Sequence, residues 1–337
     1  MTKSDTRQLK GLAILMMLWL HLFSDEETVY QCSYGLTYFN GLPLVYCLTR
    51  LASCCVPIYI FLGGYGLAAT YQTTPGHRLH GGRRALALMA NFWLIFLIFI
   101  PIGCMVNPDL YPGSWQTLLL NATAVDYSYN GAWWFLLPYV LLTLTAQFFM
   151  AHYEQSSRRQ DIVMIGVLAF VHVGIYLLKS MLPEGHWLLT YGSWLLNYLS
   201  MLLLFTLGIL AVKYRGSLSL WRGHNMRLLL FLIVLCLIKM LLGSSSLLNV
   251  PFVLLLLSLL LSLQWPQWLR RKLEFLGLHS TNRWLIHYFF YYILGNLIYD
   301  LRYPVVIFLV LTLTSLACSM VLRPLFEPLR KRIRQEK

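Results

Sequence analysis

The sequence has few charged residues: only 12% of its 337 residues are Asp, Glu, Lys or Arg, while 58% are hydrophobic. A chain this poor in polar groups cannot cover the surface of a water-soluble globule. Acidic residues are scarcer than basic ones, 13 against 26, so the formal net charge is +13. The basic residues fall in short clusters between long apolar runs, which is typical of membrane-protein loops. The composition therefore predicts an integral membrane protein and argues against nucleic acid as a partner.

Paired cysteine motifs are also absent. The seven cysteines form no CxxC pair and have no His-Cys spacing that suits zinc. We therefore expect no metal site, and we interpret most of the cysteines as small apolar packing residues. No small-residue cleavage site follows the first apolar run, which predicts a retained helix instead of a signal peptide.

Long apolar runs divide the chain into ten segments of about 20 residues, the length at which a helix crosses a bilayer. They are 9–24, 44–71, 84–106, 131–151, 161–182, 189–212, 226–242, 247–265, 282–299 and 303–322. Threading from a cytoplasmic N-terminus places 22 of the 26 Lys and Arg on one side, which the positive-inside rule assigns to the cytoplasm. The predicted fold class is all-α integral membrane, a single bundle of about ten transmembrane helices with both termini cytoplasmic. We expect one transmembrane domain over 1–337, ending in a basic cytoplasmic tail at 323–337.

The first segment carries a cation near its start and an imidazole near its end. Lys10 and His21 are eleven positions apart, so on a helix they lie within about 20° of one face and roughly 16 Å apart along the axis. Ionisable groups within a membrane are costly and are functional candidates by default. An imidazole suits general-base chemistry on a hydroxyl group, and also a transient covalent role. His21 is therefore a catalytic candidate, with a packing histidine as the alternative, and Asp25, four residues on, is predicted to orient its ring.

The other ionisable residues of the predicted spans are few. Arg50 opens the second span and is expected to bind an anion or a backbone carbonyl, unless it extends to the headgroups. Lys179 and Lys239 lie near outer span ends, where a long side chain is expected to reach the headgroups. His172 is interpreted as a hydrogen-bonded interior histidine. Arg50 is the catalytic candidate of this group, as a group that stabilises an oxyanion or holds the acceptor.

Four motifs in order along the chain resemble the membrane-bound acyltransferase family 3, whose members O-acylate bacterial surface polysaccharides and related molecules. Lys10-x10-His21 is similar to the family's Arg/Lys-x10-His signature. Arg50 to Tyr65, with Pro57 and the run Phe-Leu-Gly-Gly-Tyr, resembles the family's second-helix motif. Gly131-Ala-Trp-Trp-Phe135 resembles its Trp-Phe helix start. Leu276-Gly-Leu-His-Ser280, followed by Trp-Leu-Ile-His287, resembles its late Leu-Gly-x-x-Ser segment and the Tyr/Trp-Leu-x-His that follows.

The resemblance implies transfer of an acyl group, commonly acetyl from acetyl-CoA as the donor substrate, to a hydroxyl of an envelope glycan or a lipid-linked sugar. It implies a multi-pass protein surrounded by membrane lipid in the bacterial cytoplasmic membrane. The donor contacts that it implies are Arg7, Lys10, Arg83, Arg84 and Tyr65. The acceptor or tunnel residues that it implies are Trp133, Trp134, Ser280, His287 and Tyr291.

The chain departs from the family pattern at two places. Gly63 stands where many members have Ser, and Arg83-Arg84-Ala-Leu-Ala lacks a later arginine, so the groups that would make the family's hydroxyl contact and one phosphate contact are missing at those positions. The residues alone also allow a transporter or flippase whose His and Arg form a path for a polar substrate, or a sensor that binds without turnover. The sequence leaves open the acceptor, the acyl length, direct or covalent transfer, the oligomeric state and any disulfide in the outer loops.

Overall fold

The computed structural model describes residues 1–32, 34–74, 76, 79–183, 185–214, 225–243 and 245–335, and most of these are helical. The α-helices, in chain order, are α1 (Lys3–Phe23), α2 (Glu26–Cys32), α3 (Leu44–Ala52), α4 (Cys55–Thr73), α5 (Gly81–Val106), α6 (Trp115–Ala122), α7 (Leu136–Gln155), α8 (Arg158–Met181), α9 (Trp187–Tyr191), α10 (Ser193–Lys213), α11 (Asn225–Leu242), α12 (Ser246–Ser262), α13 (Gln267–Leu278), α14 (Ser280–Tyr299) and α15 (Pro304–Arg334). A 3₁₀ helix, Gly131–Phe135, precedes α7. A short antiparallel hairpin pairs β1 (Tyr38–Phe39) with β2 (Leu42–Pro43).

Seven helical stretches among the described residues are long and apolar enough to cross a membrane. They are Leu44–Thr73, Gly81–Val106, Gly131–Gln155, Arg158–Met181, Ser193–Lys213, Asn225–Leu242 and Pro304–Arg334. The predicted all-α membrane fold is therefore confirmed. The other three predicted spans coincide with α1, α12 and α14, which are helical but not among the seven. The count of ten and the cytoplasmic termini stay predictions, and four of the 22 cations assigned to the cytoplasm lie outside the described residues, namely Arg78, Arg215, Arg222 and Lys337.

The predicted span 44–71 is in fact two helices, α3 and α4, with a turn between them. Pro57 explains the break, because inside one continuous helix its ring would clash with the carbonyl of Ser53, four residues earlier. Near the start of α4 the same proline is tolerated, since the first N–H groups of a helix have no intrahelical acceptor. The Ser53 hydroxyl donates to the carbonyl of Arg50 at 2.8 Å, which satisfies one of the carbonyls left open where α3 ends.

Helix α1 begins with a capping box. The Thr2 hydroxyl accepts from the backbone N–H of Asp5 at 3.1 Å, and the Asp5 carboxylate accepts from the backbone N–H of Thr2 at 2.7 Å. The helix then continues without interruption to Phe23. Lys10 and His21 therefore stand on one helix, as their spacing predicts.

Contacts within the chain define two compact units. The first comprises 1–58, 105–107 and 221–327, and the second comprises 59–104, 108–220 and 328–337. In the first unit α1 packs against α13, α3 and α14, and in the second α10 packs against α7 and α8. The single domain over 1–337 and the cytoplasmic location of the basic tail stay predictions. Helix α15 continues through most of that tail, to Arg334.

Helices α1 and α13 are in backbone contact at two glycines. A Cβ atom on Gly277 would collide with the carbonyl oxygen of Arg7, and one on Gly11 would collide with the carbonyl oxygen of Leu273. The contact is reciprocal, because Arg7 and Gly11 are one turn apart on α1 and Leu273 and Gly277 are one turn apart on α13. Only glycine allows two helix backbones to approach this closely. The glycine of the late Leu-Gly-x-x-Ser motif thus has a packing reason.

Polar side chains join the same two helices beside the glycine contact. Glu274 of α13 accepts hydrogen bonds from the Ser4 hydroxyl and from the Gln8 side-chain amide, the latter at 3.0 Å. These bonds hold the pKa of Glu274 below its usual value, and the bond from Ser4 lowers it more than the bond from Gln8 does. Helix α13 falls between two predicted spans, where the apolar runs predict only a loop, yet it is tied to the first two turns of α1.

Glycines also bring α4 and α10 together in the second unit. A Cβ atom on Gly64 would collide with the carbonyl oxygen of Phe205, and one on Gly208 would collide with that of Phe61. Gly64 belongs to the Gly-Gly pair that the family resemblance singles out. Its packing accounts for the glycine without any ligand contact.

Candidate active site

Two imidazoles that are distant in sequence meet inside the first unit. His21 belongs to the last turn of α1 and His287 to α14, and their ring centroids are 5.0 Å apart with planes inclined by 37°. The two helices are joined beside the pair, because the Tyr299 hydroxyl donates to the carbonyl of Leu22 at 2.7 Å. The resemblance assigns His287 to the acceptor or the tunnel, whereas the structure places it against His21 itself.

Tyrosine rings extend from the histidine pair along α14. The Tyr288 ring lies edge-on to His21 at 4.8 Å and to His287 at 5.3 Å between centroids. Tyr291 and Tyr292 lie 5.7 and 5.5 Å from Tyr288. Tyr292 is 39% exposed, so this aromatic wall connects the imidazoles to the surface of the unit.

The two imidazoles differ in access and in hydrogen bonding. His287 is fully buried, and its Nδ1 lies 3.0 Å from the carbonyl oxygen of Arg283 and 2.9 Å from that of Trp284. His21 is only half-buried, and within the described part of the chain no hydrogen bond to its ring is formed. His21 is therefore the more accessible imidazole, while His287 is held by its own helix.

Asp25 does not contact His21. Helix α1 ends at Phe23, so the spacing of four residues between His21 and Asp25 does not place them on one helix face. Asp25 instead lies directly before α2, and its carboxylate accepts from the hydroxyl of Thr28 and, at 2.9 Å, from the backbone N–H of that residue. These two bonds hold the pKa of Asp25 below its usual value. The predicted orienting contact is absent, and the rings beside that of His21 are those of His287 and Tyr288.

Arg50 caps a neighbouring helix. Its Nη1 donates to the backbone carbonyls of Met240 and Leu241, in the last turn of α11. The guanidinium carbon also lies 5.2 Å from the centroid of the Tyr46 ring. A cation at a helix C-terminus satisfies carbonyls that have no intrahelical donor and complements the helix dipole. The expected carbonyl partner is confirmed, and the role of Arg50 towards an oxyanion stays a prediction.

Lys239 is fully buried, so the prediction that it extends to the headgroups is wrong. Its Nζ donates to Asn249 Oδ1 at 2.6 Å and to Ser53 Oγ at 3.3 Å. It also lies 5.3 Å from the centroid of the Phe252 ring. His172, by contrast, is the hydrogen-bonded interior histidine that was predicted, with Nδ1 2.8 Å from Ser200 Oγ.

We expect Asn249→Leu to lower the melting temperature of the protein more than Lys239→Met does. The first change removes the shorter hydrogen bond of a buried ammonium, which costs about 1–3 kcal/mol or more. The second removes the buried charge itself, and Asn249 Oδ1 keeps the Ser53 hydroxyl as a donor at 3.3 Å. Thermal melting in detergent compares the single variants with the double variant. The double variant should melt above Asn249→Leu, and a double variant that melts lowest of the three would contradict this account.

Arg283 lies at the site, although the topology predicted from the sequence assigns it to a cytoplasmic loop. The positive-inside count treats it as a cytoplasmic loop cation, but it lies in α14 and is fully buried. Its Nε donates to Ser315 Oγ and its Nη2 to the carbonyl of Thr312, both at 3.3 Å. Arg283 also supplies one of the carbonyls that bind the ring of His287. It therefore belongs to the surroundings of the histidine pair.

The sequence signal that could have identified Arg283 is a regular spacing of polar residues, first in and just before α14 and again in α15. His279, Arg283 and His287 recur at intervals of four residues, the spacing of one helix face. Polar residues of α15 follow a similar spacing within an apolar run, and they are Thr312, Ser315 and Ser319. His279 Nδ1 lies 3.0 Å from Ser319 Oγ. Matching the two spacings predicts the pairing of these faces.

The remaining first-unit residues of the family resemblance are Arg7, Lys10 and Ser280. Arg7 and Lys10 both lie in the second turn of α1. The buried Ser280 donates to the carbonyl of Gly277 at 2.9 Å, which links the start of α14 to the end of α13. This bond supports the helix junction, and the acceptor or tunnel role of Ser280 and the donor contacts of Arg7 and Lys10 stay predictions.

The second unit holds Tyr65, Arg83, Arg84, Trp133 and Trp134. Trp133 is fully buried and packs edge-on to Phe92 at 4.8 Å, so it fills the core of that unit. Trp134 is only partly buried, and its ring lies 6.0 Å from that of Phe135. The acceptor and donor roles that the resemblance assigns to these five residues stay predictions.

The departure at Gly63 has a steric explanation in this unit. A Cβ atom on Gly63 would come within 3.1 Å of the Tyr139 ring and 3.2 Å of its hydroxyl. Glycine leaves room for this tyrosine, whose hydroxyl would be in tight contact with the Cβ of the family's serine.

The fold and this site define a class of protein, a multi-pass helical membrane protein with a histidine pair beside an aromatic wall. A model of the acyltransferase domain family matches residues 7–323. The chain therefore belongs to the membrane-bound acyltransferase family 3, and the resemblance seen in the four motifs is confirmed. No curated protein and no solved structure matches the chain. The family makes this protein a membrane acyltransferase, which leaves the transporter alternative without support.

Proposed function

We propose that the protein is an O-acyltransferase of the bacterial cytoplasmic membrane. It transfers an acyl group, acetyl in the simplest case, from cytoplasmic acyl-CoA to a hydroxyl of an envelope glycan or a lipid-linked sugar. The family supports acyl transfer, and the observation that carries the choice of a hydroxyl acceptor is the pair formed by His21 and His287. An imidazole is the side chain best suited to remove a proton from a hydroxyl near neutral pH.

His21 is the reacting imidazole, because it is the more accessible of the two. As a general base it takes the proton of the acceptor hydroxyl while the hydroxyl oxygen forms the ester bond to the acyl carbon. The carbon–sulfur bond breaks, and the proton ends on the sulfur of CoA. As a transient acyl carrier, the same ring holds the acyl group between the two bond changes. Both routes need a ring nitrogen with a free lone pair.

The donor is proposed to enter at the start of α1. Arg7 and Lys10 are proposed to bind the phosphates of CoA, since cations near the protein surface bind phosphate with little desolvation. Lys10 precedes His21 by about three turns on the same helix, so the pantetheine arm is proposed to extend along α1. Arg83 and Arg84 are proposed for phosphate contacts of the same kind on the family resemblance alone.

The acceptor is proposed to meet His21 along the aromatic wall of Tyr288, Tyr291 and Tyr292. Aromatic side chains present an apolar face together with a polar hydroxyl, which suits the faces and hydroxyl groups of a sugar ring. The exposed ring of Tyr292 is where this wall becomes accessible.

Labelled acetyl-CoA tests the proposal directly. Purified protein in lipid nanodiscs is incubated with the labelled donor and a bacterial glycolipid extract. We expect free CoA to appear and the label to enter material from which mild alkali releases acetate, as from an ester. A transporter would neither bind nor consume the donor. Failure to release CoA from acetyl-CoA and from longer acyl-CoAs would contradict the proposal.

A further inference from the structure

The hydrogen bonds of His287 show which nitrogen of its ring carries the hydrogen. Its Nδ1 faces two carbonyl oxygens, of Arg283 at 3.0 Å and of Trp284 at 2.9 Å. A carbonyl oxygen only accepts hydrogen bonds, so Nδ1 carries the hydrogen and donates it. The neutral ring therefore keeps a lone pair on Nε2. His287 is therefore a hydrogen-bond acceptor at Nε2, on the edge of the ring that faces away from its own helix backbone.

That acceptor is buried and has no partner in the described part of the chain. Buried polar atoms are nearly always hydrogen-bonded, so each exception needs an explanation. Nε2 is enclosed, which leaves no path for a substrate oxygen to reach it. A neighbouring side chain that turns towards Nε2 is the partner that the geometry allows.

His21 is the neighbouring ring that fits. Its centroid lies 5.0 Å from that of His287. Two imidazoles joined by an N–H to N bond of about 2.9 Å have centroids about 5 Å apart. The separation is thus suitable for such a bond, and a turn of the His21 ring about its broad terminal torsion is the proposed way to form it. No hydrogen bond within the described residues holds the His21 ring in another orientation.

We propose that His287 is a positioning residue for His21, an inference that rests on the proposed function. In the working site one nitrogen of His21 donates its hydrogen to Nε2 of His287. This bond holds the other nitrogen of His21 towards the substrate with its lone pair free. When His21 gains a proton from the acceptor hydroxyl, the imidazolium keeps an acceptor for its second N–H. His287 thereby takes the role that the sequence assigns to Asp25.

Two substitutions of His287 separate positioning from packing. Asn places its amide near Nδ1, so His287→Asn keeps the donor to the carbonyls and loses the acceptor at Nε2. Gln places its oxygen near Nε2, so His287→Gln keeps the acceptor. We expect His287→Asn to lower kcat by about 10²-fold, within the range of acid–base effects, with the KM for acetyl-CoA unchanged. His287→Gln should retain at least about tenfold more activity than His287→Asn.

The proposal is decided by which of the two variants has the higher activity. If the ring only packs and binds the carbonyls, Asn will be the better substitute, and activity equal to or above that of Gln would overturn the inference. Should His287→Asn fail to fold, His287→Gln still decides. A kcat within about tenfold of the native protein supports positioning, and a loss as large as that of His21→Asn overturns it.

His279 provides the matched control. It is another buried histidine of the first unit, and its Nδ1 is bound by Ser319 at 3.0 Å. His279→Asn and His279→Gln should both leave kcat within a few-fold of the native value. Native protein that releases no CoA would contradict the proposed function itself. Native turnover that His287→Asn leaves unchanged would overturn only the role of His287.

Discussion

His21→Asn is expected to abolish acyl transfer while the protein stays folded. The loss should be at least about 10²–10⁴-fold in kcat, the contribution of a general base. It should be larger still if His21 carries the acyl group, because the covalent route then has no nucleophile. CoA release from labelled acetyl-CoA in nanodiscs measures the effect.

Folding should survive this change because His21 contributes little to the hydrogen bonding of its unit. Its ring is half-buried, and among the described residues it has no hydrogen-bond partner that substitution would leave unpaired. Asparagine is also polar and smaller, so it fits the same space. The melting temperature and the gel-filtration profile should match those of the native protein. Native-like turnover by well-folded His21→Asn would show that another group performs the chemistry.

Gly277→Ala is expected to have the largest effect on stability. The added Cβ would meet the carbonyl oxygen of Arg7, a backbone atom that cannot turn aside. The two helices must separate, which opens the reciprocal contact at Gly11. Overpacking of a close contact costs about 1–3 kcal/mol, and more where backbone has to move. We expect a melting temperature lower by several degrees and a reduced yield of folded protein.

Gly166→Ala is the control for this prediction. Gly166 is exposed in α8, and nothing lies within 4 Å of a Cβ built there. Alanine is favoured over glycine in a helix by about 1 kcal/mol, so this variant should melt at or above the native temperature. The same chemical change thus acts in opposite directions at the two positions. Equal melting temperatures for the two variants would refute the steric argument.

The apolar runs predict most of this fold, because backbone polar groups within lipid must be hydrogen-bonded inside the chain, which dictates long apolar helices. Helix α13 escapes this reasoning, since it is a short helix outside the long apolar runs. The break between α3 and α4 could have been predicted from Pro57. The collision that Gly277 avoids is not readable, because it depends on which backbone lies opposite.

In the site, too, some features are predictable from the local sequence, and others depend on residues that are far apart in the chain. His21 is identifiable from its rarity within an apolar segment and from its spacing to Lys10. Its neighbour His287 belongs to a helix near the other end of the chain, and no local pattern predicts that the two rings meet. Asp25 fails as a partner because an i, i+4 argument holds only while the helix continues, and α1 ends at Phe23.

The attachment of α1 at two levels limits how the protein can work. Near its start α1 touches α13 at Gly11, and near its end the Leu22 carbonyl is bound by Tyr299. A helix fixed at both levels can neither slide along its axis nor rotate about it without breaking one contact. His21 is then a stationary group whose only freedom is that of its own side chain. Under the proposed function, donor and acceptor both have to reach His21 at the position where α1 holds it.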